Sequence, residues 1–156
     1  MDQMDRMEWN LFLDCLFPWG ETMLSRCNQR SEPFGLALSR RELEDLAIQG
    51  QQALLDTGRM EFGAGCLEGL VAAFCASPYL YQADYAAALG ELQEIFYHWK
   101  NACRDRAGDQ EILSAMAAAY DWIAHGSTDY LAGLDGEEIW SLIQTEELPG
   151  REEADE

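Results

Sequence analysis

Apolar residues in this chain recur mostly at three- and four-residue steps, the spacing of a helix face turned toward a core. The strongest run is Tyr85, Ala88, Leu89, Leu92, Ile95, Phe96, Trp99 and Cys103. It predicts one long central helix at about 84–107, capped by Asp84 and broken at Gly108. A second stripe of Ile112, Leu113, Met116, Ala119, Tyr120 and Ile123 predicts a helix from a cap at Asp109 to about Ala124. Ser39 stands three residues before Glu42, the spacing of a capping box. It opens a helix with Leu43, Leu46, Ala47, Leu54 and Leu55 on one side, Gly50 inside it and Gly58 at its end. Cys66 to Ala76 reads as a short apolar helix stopped by Ser77-Pro78. Ser127 caps a short helix near 128–132, and residues 136–145 carry Ile139, Trp140, Leu142 and Ile143 on a last one. Residues 4–17 predict a first helix, ended by Pro18 and Gly20, and the polar stretch Ser25 to Pro33 reads as a loop.

Two segments alternate instead. Phe34-Gly35-Leu36-Ala37-Leu38 and Arg59-Met60-Glu61-Phe62 place large residues at every second position, the period of a strand. Paired, they would form a two-stranded ribbon (34–38 with 59–62), which needs helices packed on it to persist. The fold class expected is all-α, or nearly so with that ribbon added. It is a multi-helix domain over residues 1–145 with short connections between antiparallel neighbours. From Glu146 on, six acids, one arginine, a proline and a glycine predict a disordered acidic tail over 146–156.

Charge narrows the function. The 156 residues hold 29 acids and 10 bases, a net charge of −19. Neutralising phosphates needs clustered Lys and Arg, so direct nucleic-acid binding and docking on an anionic membrane are disfavoured. No apolar run reaches the roughly 18 residues of a membrane span. Asp2, Asp5, Glu8 and Asp14 interrupt the apolar N-terminal stretch, which is unlike a secretory signal. Five widely spaced cysteines without a C-x-x-C pair make neither a disulfide framework nor a zinc site. The compartment expected is the cytoplasm, where thiols stay reduced.

The run Gly58-Arg59-Met60-Glu61-Phe62-Gly63, then Ser77-Pro78-Tyr79, Gln82-Ala83-Asp84-Tyr85, Ile95-Phe96-Tyr97 and Gly126-Ser127 resembles an uncharacterised family. That family is a domain of unknown function in small helical proteins from anaerobic Gram-positive bacteria. The resemblance covers about residues 34–134. It implies a bacterial cytosolic protein with no known activity, and it brings no catalytic residues.

The candidate chemistry is sparse. Gly63-Ala64-Gly65-Cys66-Leu67-Glu68-Gly69 has its third glycine one position late for a dinucleotide loop and lacks the lysine of a P-loop. A close-packed turn before a helix explains it better. Cys66 sits near a helix start, where a thiol pKa can fall, but it would need a base brought in by folding. Glu94 and His98 share a helix face four residues apart, as do Asp121 and His125. Together they could hold a divalent metal or transfer a proton, although the Gly108 turn puts the two pairs out of step. Arg59 could grip a carboxylate bidentately, its target being a ligand or a fixed helix C-terminus. Tyr79 and Tyr81, after Pro78, and the apolar patch of Trp9, Phe12 and Trp19 suit a partner surface.

The expected function is therefore a non-enzymatic helical module that binds a protein, with its acidic rim drawing a basic partner. No cofactor is expected. The alternative is an acidic decoy that inhibits a nucleic-acid-binding protein. A metal or acid–base site at the carboxylate–histidine pairs is third.

Overall fold

The computed structural model describes residues 20–58, 66–104 and 106–145. Among them are seven α-helices: α1 (Gly20–Ser31), α2 (Arg40–Asp56), α3 (Leu67–Phe74), α4 (Tyr85–Ala102), α5 (Asp109–Trp122), α6 (Thr128–Ala132) and α7 (Gly136–Gln144). Two 3-10 turns, Glu32–Phe34 and Gln82–Asp84, complete the regular structure, and the described residues contain no strand. The fold is all-α. The expected first helix at 4–17, the ribbon segment 59–62 and the tail at 146–156 lie outside the described residues.

The helix α4 runs through the middle and packs against α2, α3, α5, α6 and α7. It ends at Ala102, five residues short of the expected 107, because Cys103 and Arg104 turn the chain and Arg104 adopts φ +55°. Its inner face buries Tyr85, Leu89, Leu92, Phe96, Tyr97 and Trp99. Trp99 is fully buried, and its indole Nε1 donates to Leu131 O at 3.0 Å, so a polar atom in the core stays satisfied. Where α2 crosses α4, each helix gives up a side chain. A Cβ on Gly50 would come within 2.6 Å of Gln93 Oε1, and one on Gly90 within 2.6 Å of Gln49 Oε1. Gln93 is itself buried and donates to Leu46 O at 2.9 Å across the crossing. Gly50 therefore serves packing, which offsets its low helix propensity. Gly69 plays the same part between α3 and α5, where a Cβ would meet Leu113 at 2.8 Å.

Caps follow the expectation at α2 and α6, depart from it at α4 and α5, and α7 adds one that was not expected. Ser39 and Glu42 close a reciprocal box on α2, Ser127 accepts from Tyr130 N at α6, and Asp135 and Glu138 close a box on α7. Gly108 caps α5 in place of Asp109, with Glu111 Oε1 accepting from its N–H. Asp109 instead pairs with Lys100 at 2.8 Å. Asp84 stands at the start of α4 but makes no side-chain cap.

Two expectations fail in this part of the fold. Ser25 to Ser31 is helix, not loop, because Met23, Cys27 and Ser31 recur four residues apart and all three are buried. Residues 34–38 form no strand of a ribbon. Leu36 and Leu38 do point inward, as their alternation implies, but side chains pair with this backbone. Asn28 accepts from Leu38 N at 2.8 Å and donates to Leu38 O at 2.9 Å. Gln82 does the same for Ala37, at 2.8 and 3.0 Å. Ser31 Oγ donates to Leu36 O at 2.7 Å. Two amides and a hydroxyl thus satisfy an extended segment that would otherwise need a neighbouring strand.

Candidate functional site

The segment after α3 folds back onto the end of α5. Ser77 Oγ donates to Asp121 at 2.6 Å and accepts from Tyr79 N at 3.2 Å, which fixes the Ser77-Pro78-Tyr79 turn. The Tyr79 ring meets Tyr120 edge-on with centroids 6.2 Å apart, and Tyr120 meets Phe74 at 5.4 Å. Tyr79 OH reaches His125 Nδ1 at 3.1 Å. His125 holds a left-handed backbone at φ +49°, and Gly126 follows at φ +86°. A side chain at 126 would strike the Tyr79 ring at 2.8 Å, so glycine is required there by both space and backbone.

Burial pushes the Asp121 carboxyl above its ordinary value, and the hydrogen bond from Ser77 opposes the rise. The Tyr120 phenol is raised too, first by burial and then by the charges of Asp121, Asp84 and Glu91. Beside this corner a recess of about 280 Å3 opens along α5. Ala73, Ala117 and Ala118 keep it shallow, Asp121 lines it, and Trp122 stands at its side with 55% of its surface exposed. Tyr81 is 64% exposed on the turn that follows Tyr79. Phe34, 54% exposed, lies on the segment that Gln82 ties to Tyr81's own.

The expected site residues therefore fare differently. Trp9, Phe12, Trp19 and Arg59 lie outside the described residues. Tyr81 is open to solvent, and Tyr79 is half-buried as a bracket between turns. The carboxylate–histidine set does not assemble. Glu94 accepts from Gln49 at 3.2 Å, His98 Nε2 bonds Leu134 O at 3.3 Å, Asp121 holds Ser77 and His125 holds Tyr79. No group of three or more His, Cys, Asp or Glu residues fit to hold a metal occurs among the described residues. The physical reason is that each of the four side chains bonds a different neighbour: Glu94 turns to Gln49 and His98 to Leu134, while Asp121 and His125 turn to the segment after α3. Cys66 is the buried N-cap of α3, and both histidine rings are engaged elsewhere.

The buried thiols of Cys27 and Cys75 are poor nucleophiles. Burial raises Cys27 to about 11, helped by the Glu68 charge and opposed by Arg30. Burial raises Cys75 as well, and its Sγ donates to Arg30 O at 3.7 Å. The Tyr85 phenol next to this cluster is pushed up to about 12 by burial, with the Ser31 hydroxyl pulling the other way.

Trp122 was not among the expected partner residues. The signal for it was present: it is a tryptophan left off the inward stripe of 109–124. Large apolar side chains outside the core stripe are the ones a helix presents to water or to a partner.

These features define an all-α protein that exposes Leu55 and the aromatic side chains of Tyr81, Trp122 and Phe34, and whose described residues assemble no metal cluster. Residues 23–147 match the family of unknown function DUF6323, and the chain belongs to that family. The match reaches past 34–134 at both ends and takes in nearly all of α1 and the whole of α7. No curated protein and no solved structure matches the chain. No described helix is long and apolar enough to cross a membrane.

Proposed function

We propose that this chain is a non-enzymatic protein-binding module of the bacterial cytoplasm. Its partner carries an apolar pocket with a basic rim. The observation that supports the reading is the half-exposed Trp122 beside a recess on α5, with Tyr81 open on the turn beyond the Tyr79 bracket. Tryptophan and tyrosine are the side chains that most often anchor protein interfaces, because they bury much area for few frozen rotors. Neither residue contributes to the buried core, so their exposure is not forced by packing. The net charge of −19 accelerates encounter with a basic surface, while the aromatic anchors hold the complex.

The test is capture of partners from lysate by the tagged chain after nuclease treatment, with a low-salt and a high-salt wash. The expected result is one stoichiometric protein that survives high salt and is lost with the Trp122→Ala, Tyr81→Ala double variant. That variant should melt with the parent chain, because both side chains are exposed. Capture unchanged by the double variant overturns the reading. Capture of basic proteins that are released by salt and displaced by added DNA or RNA overturns it in favour of an acidic decoy.

A further inference from the structure

A cavity of about 560 Å3, separate from the α5 recess, lies between the turn that follows α4 and the first turns of α7. Its walls carry opposite charges. Arg104 and Arg106 come from the turn, while Asp135 and Glu137 come from the start of α7. In a chain this acidic, bases are usually claimed. Arg26 meets Glu68, Arg40 meets Glu44, Arg41 meets Asp45 and Lys100 meets Asp109. Arg30, Arg104 and Arg106 make no ion pair with any described residue, the last two although two carboxylates line the same cavity.

Arg106 is held ready. Its Nε donates to Cys103 O at 2.9 Å, and its guanidinium stacks over the Trp140 ring at 4.1 Å. Its two Nη groups make no hydrogen bond to a described residue. Arg104 projects from a backbone at φ +55°, a conformation that side-chain-bearing residues seldom adopt. On the facing wall, Asp135 already accepts from Glu138 N at 2.9 Å, whereas the Glu137 carboxylate has no partner among the described residues. Ser141 and Gln144 add neutral polar groups. At Gly136 the walls close to backbone contact, since a Cβ there would lie 3.0 Å from Ala102 O.

Among the described residues, two cations and two carboxylates line one open cavity, which matches a molecule that carries both charges. We propose that this cavity binds a small amino-carboxylate zwitterion, in the size class of a free amino acid or dipeptide. Its carboxylate lies on Arg104 and Arg106, and its ammonium lies on Glu137. The volume falls in the usual range for small-molecule sites, about 300–1,000 Å3. A simple anion fits less well. It would leave Glu137 facing its negative charge, and it would have to enter the field of a chain with net charge −19, whereas a zwitterion enters without net cost.

The experiment is calorimetry on the full chain with the proteinogenic amino acids, one at a time, at millimolar concentration. Propionate, propylamine and inorganic phosphate serve as single-charge probes. At least one amino acid should bind more tightly than every single-charge probe. Arg104→Gly and Glu137→Gln should each weaken that binding by about tenfold, the usual scale for losing one charged hydrogen-bonded contact. Arg104→Gly suits the left-handed backbone, so its loss of binding cannot be put down to unfolding, and equal melting temperatures check this. The proposal is overturned if no amino acid binds. It is also overturned if phosphate or propionate binds as tightly as the best amino acid, or if Glu137→Gln leaves binding unchanged.

Discussion

Trp99 shows how much one side chain carries in this core. It is fully buried on α4, and its indole N–H is spent on Leu131 O, at the end of a helix thirty-two positions away. Trp99→Ala removes the packed ring and leaves that carbonyl without its donor. The expected loss is about 3–5 kcal/mol, the range for deleting a buried aromatic. A urea melt that shows a loss under about 1 kcal/mol would mean that the cavity collapses freely and that Trp99 does not organise the α4 contacts. Asp121 works in the opposite direction. Its folded pKa lies above the unfolded value because burial disfavours the carboxylate. The stability it contributes is therefore fully present below the unfolded pKa near 3.8 and is lost as pH rises through the folded value. At neutral pH the ionised carboxylate is a burden, and it sits in the last turn of α5, where the helix dipole also disfavours negative charge. Asp121→Asn keeps an oxygen to accept from Ser77 and sheds the charge. The dipole alone makes this worth about 0.3–1 kcal/mol. The variant should be the more stable one at pH 7, with the gap closing on acidification. A gap that widens as pH falls would mean that the ionised carboxylate stabilises the fold, through Ser77 or a neighbouring base, more than burial penalises it.

At the scale of elements, the stretch 36–38 depends on side chains that reach in from α1 and from the 3-10 turn before α4. Asn28→Ala removes both bonds to Leu38, whose side chain is in the core. The expected cost is about 1–3 kcal/mol, the penalty for leaving a backbone group unpaired out of water. Asn28→Asp should cost nearly as much, because it keeps the acceptor for Leu38 N but loses the donor for Leu38 O. If both variants melt with the parent, water has replaced the amide and the segment does not rely on it. This stretch also shows what the sequence could and could not reveal. Helices with wide apolar stripes, α2, α4, α5 and α7, are legible within a few residues, because a broad stripe survives errors of phase. The helix α1 is not, since only Met23 and Cys27 mark its buried side and Ser31 looks polar until it is seen bonding Leu36. The alternation at 34–38 correctly marks an extended segment with two inward leucines, but period cannot say whether a strand or an amide supplies the pairing. The candidate sites follow the same rule. Tyr81 is readable from its place in the turn after Pro78, and Trp122 as an apolar residue off a stripe. The Arg104–Glu137 cavity joins positions more than thirty residues apart and carries no local signature.

Over the whole molecule, charge dominates what packing leaves open. Acids exceed bases by 19, so the average charged group meets more repulsion than attraction. The exposed pairs Arg26–Glu68 and Arg41–Asp45, each at 3.4 Å, do little against this, because surface ion pairs are worth about 0–1 kcal/mol. Added salt weakens both effects, and the imbalance decides which matters. Screening shortens the reach of each charge to about 10 Å at 0.1 M, so it removes the many long-range repulsions sooner than the few contacts at close range. Salt should therefore stabilise this protein. A gain on the order of 1 kcal/mol corresponds to a rise in Tm of about 2–4 °C for chains of this size. Differential scanning calorimetry in sodium chloride, from low ionic strength to about 0.15 M, measures it. A fall in Tm over that range would mean that the close pairs outweigh the net repulsion, and that the acidic surface is arranged around its few bases more tightly than its composition implies. The same titration bears on partner binding. A rise in Tm with salt, set beside a partner that stays bound in high salt, separates two roles: charge that repels within the chain and speeds encounter, and aromatic area that holds once contact is made.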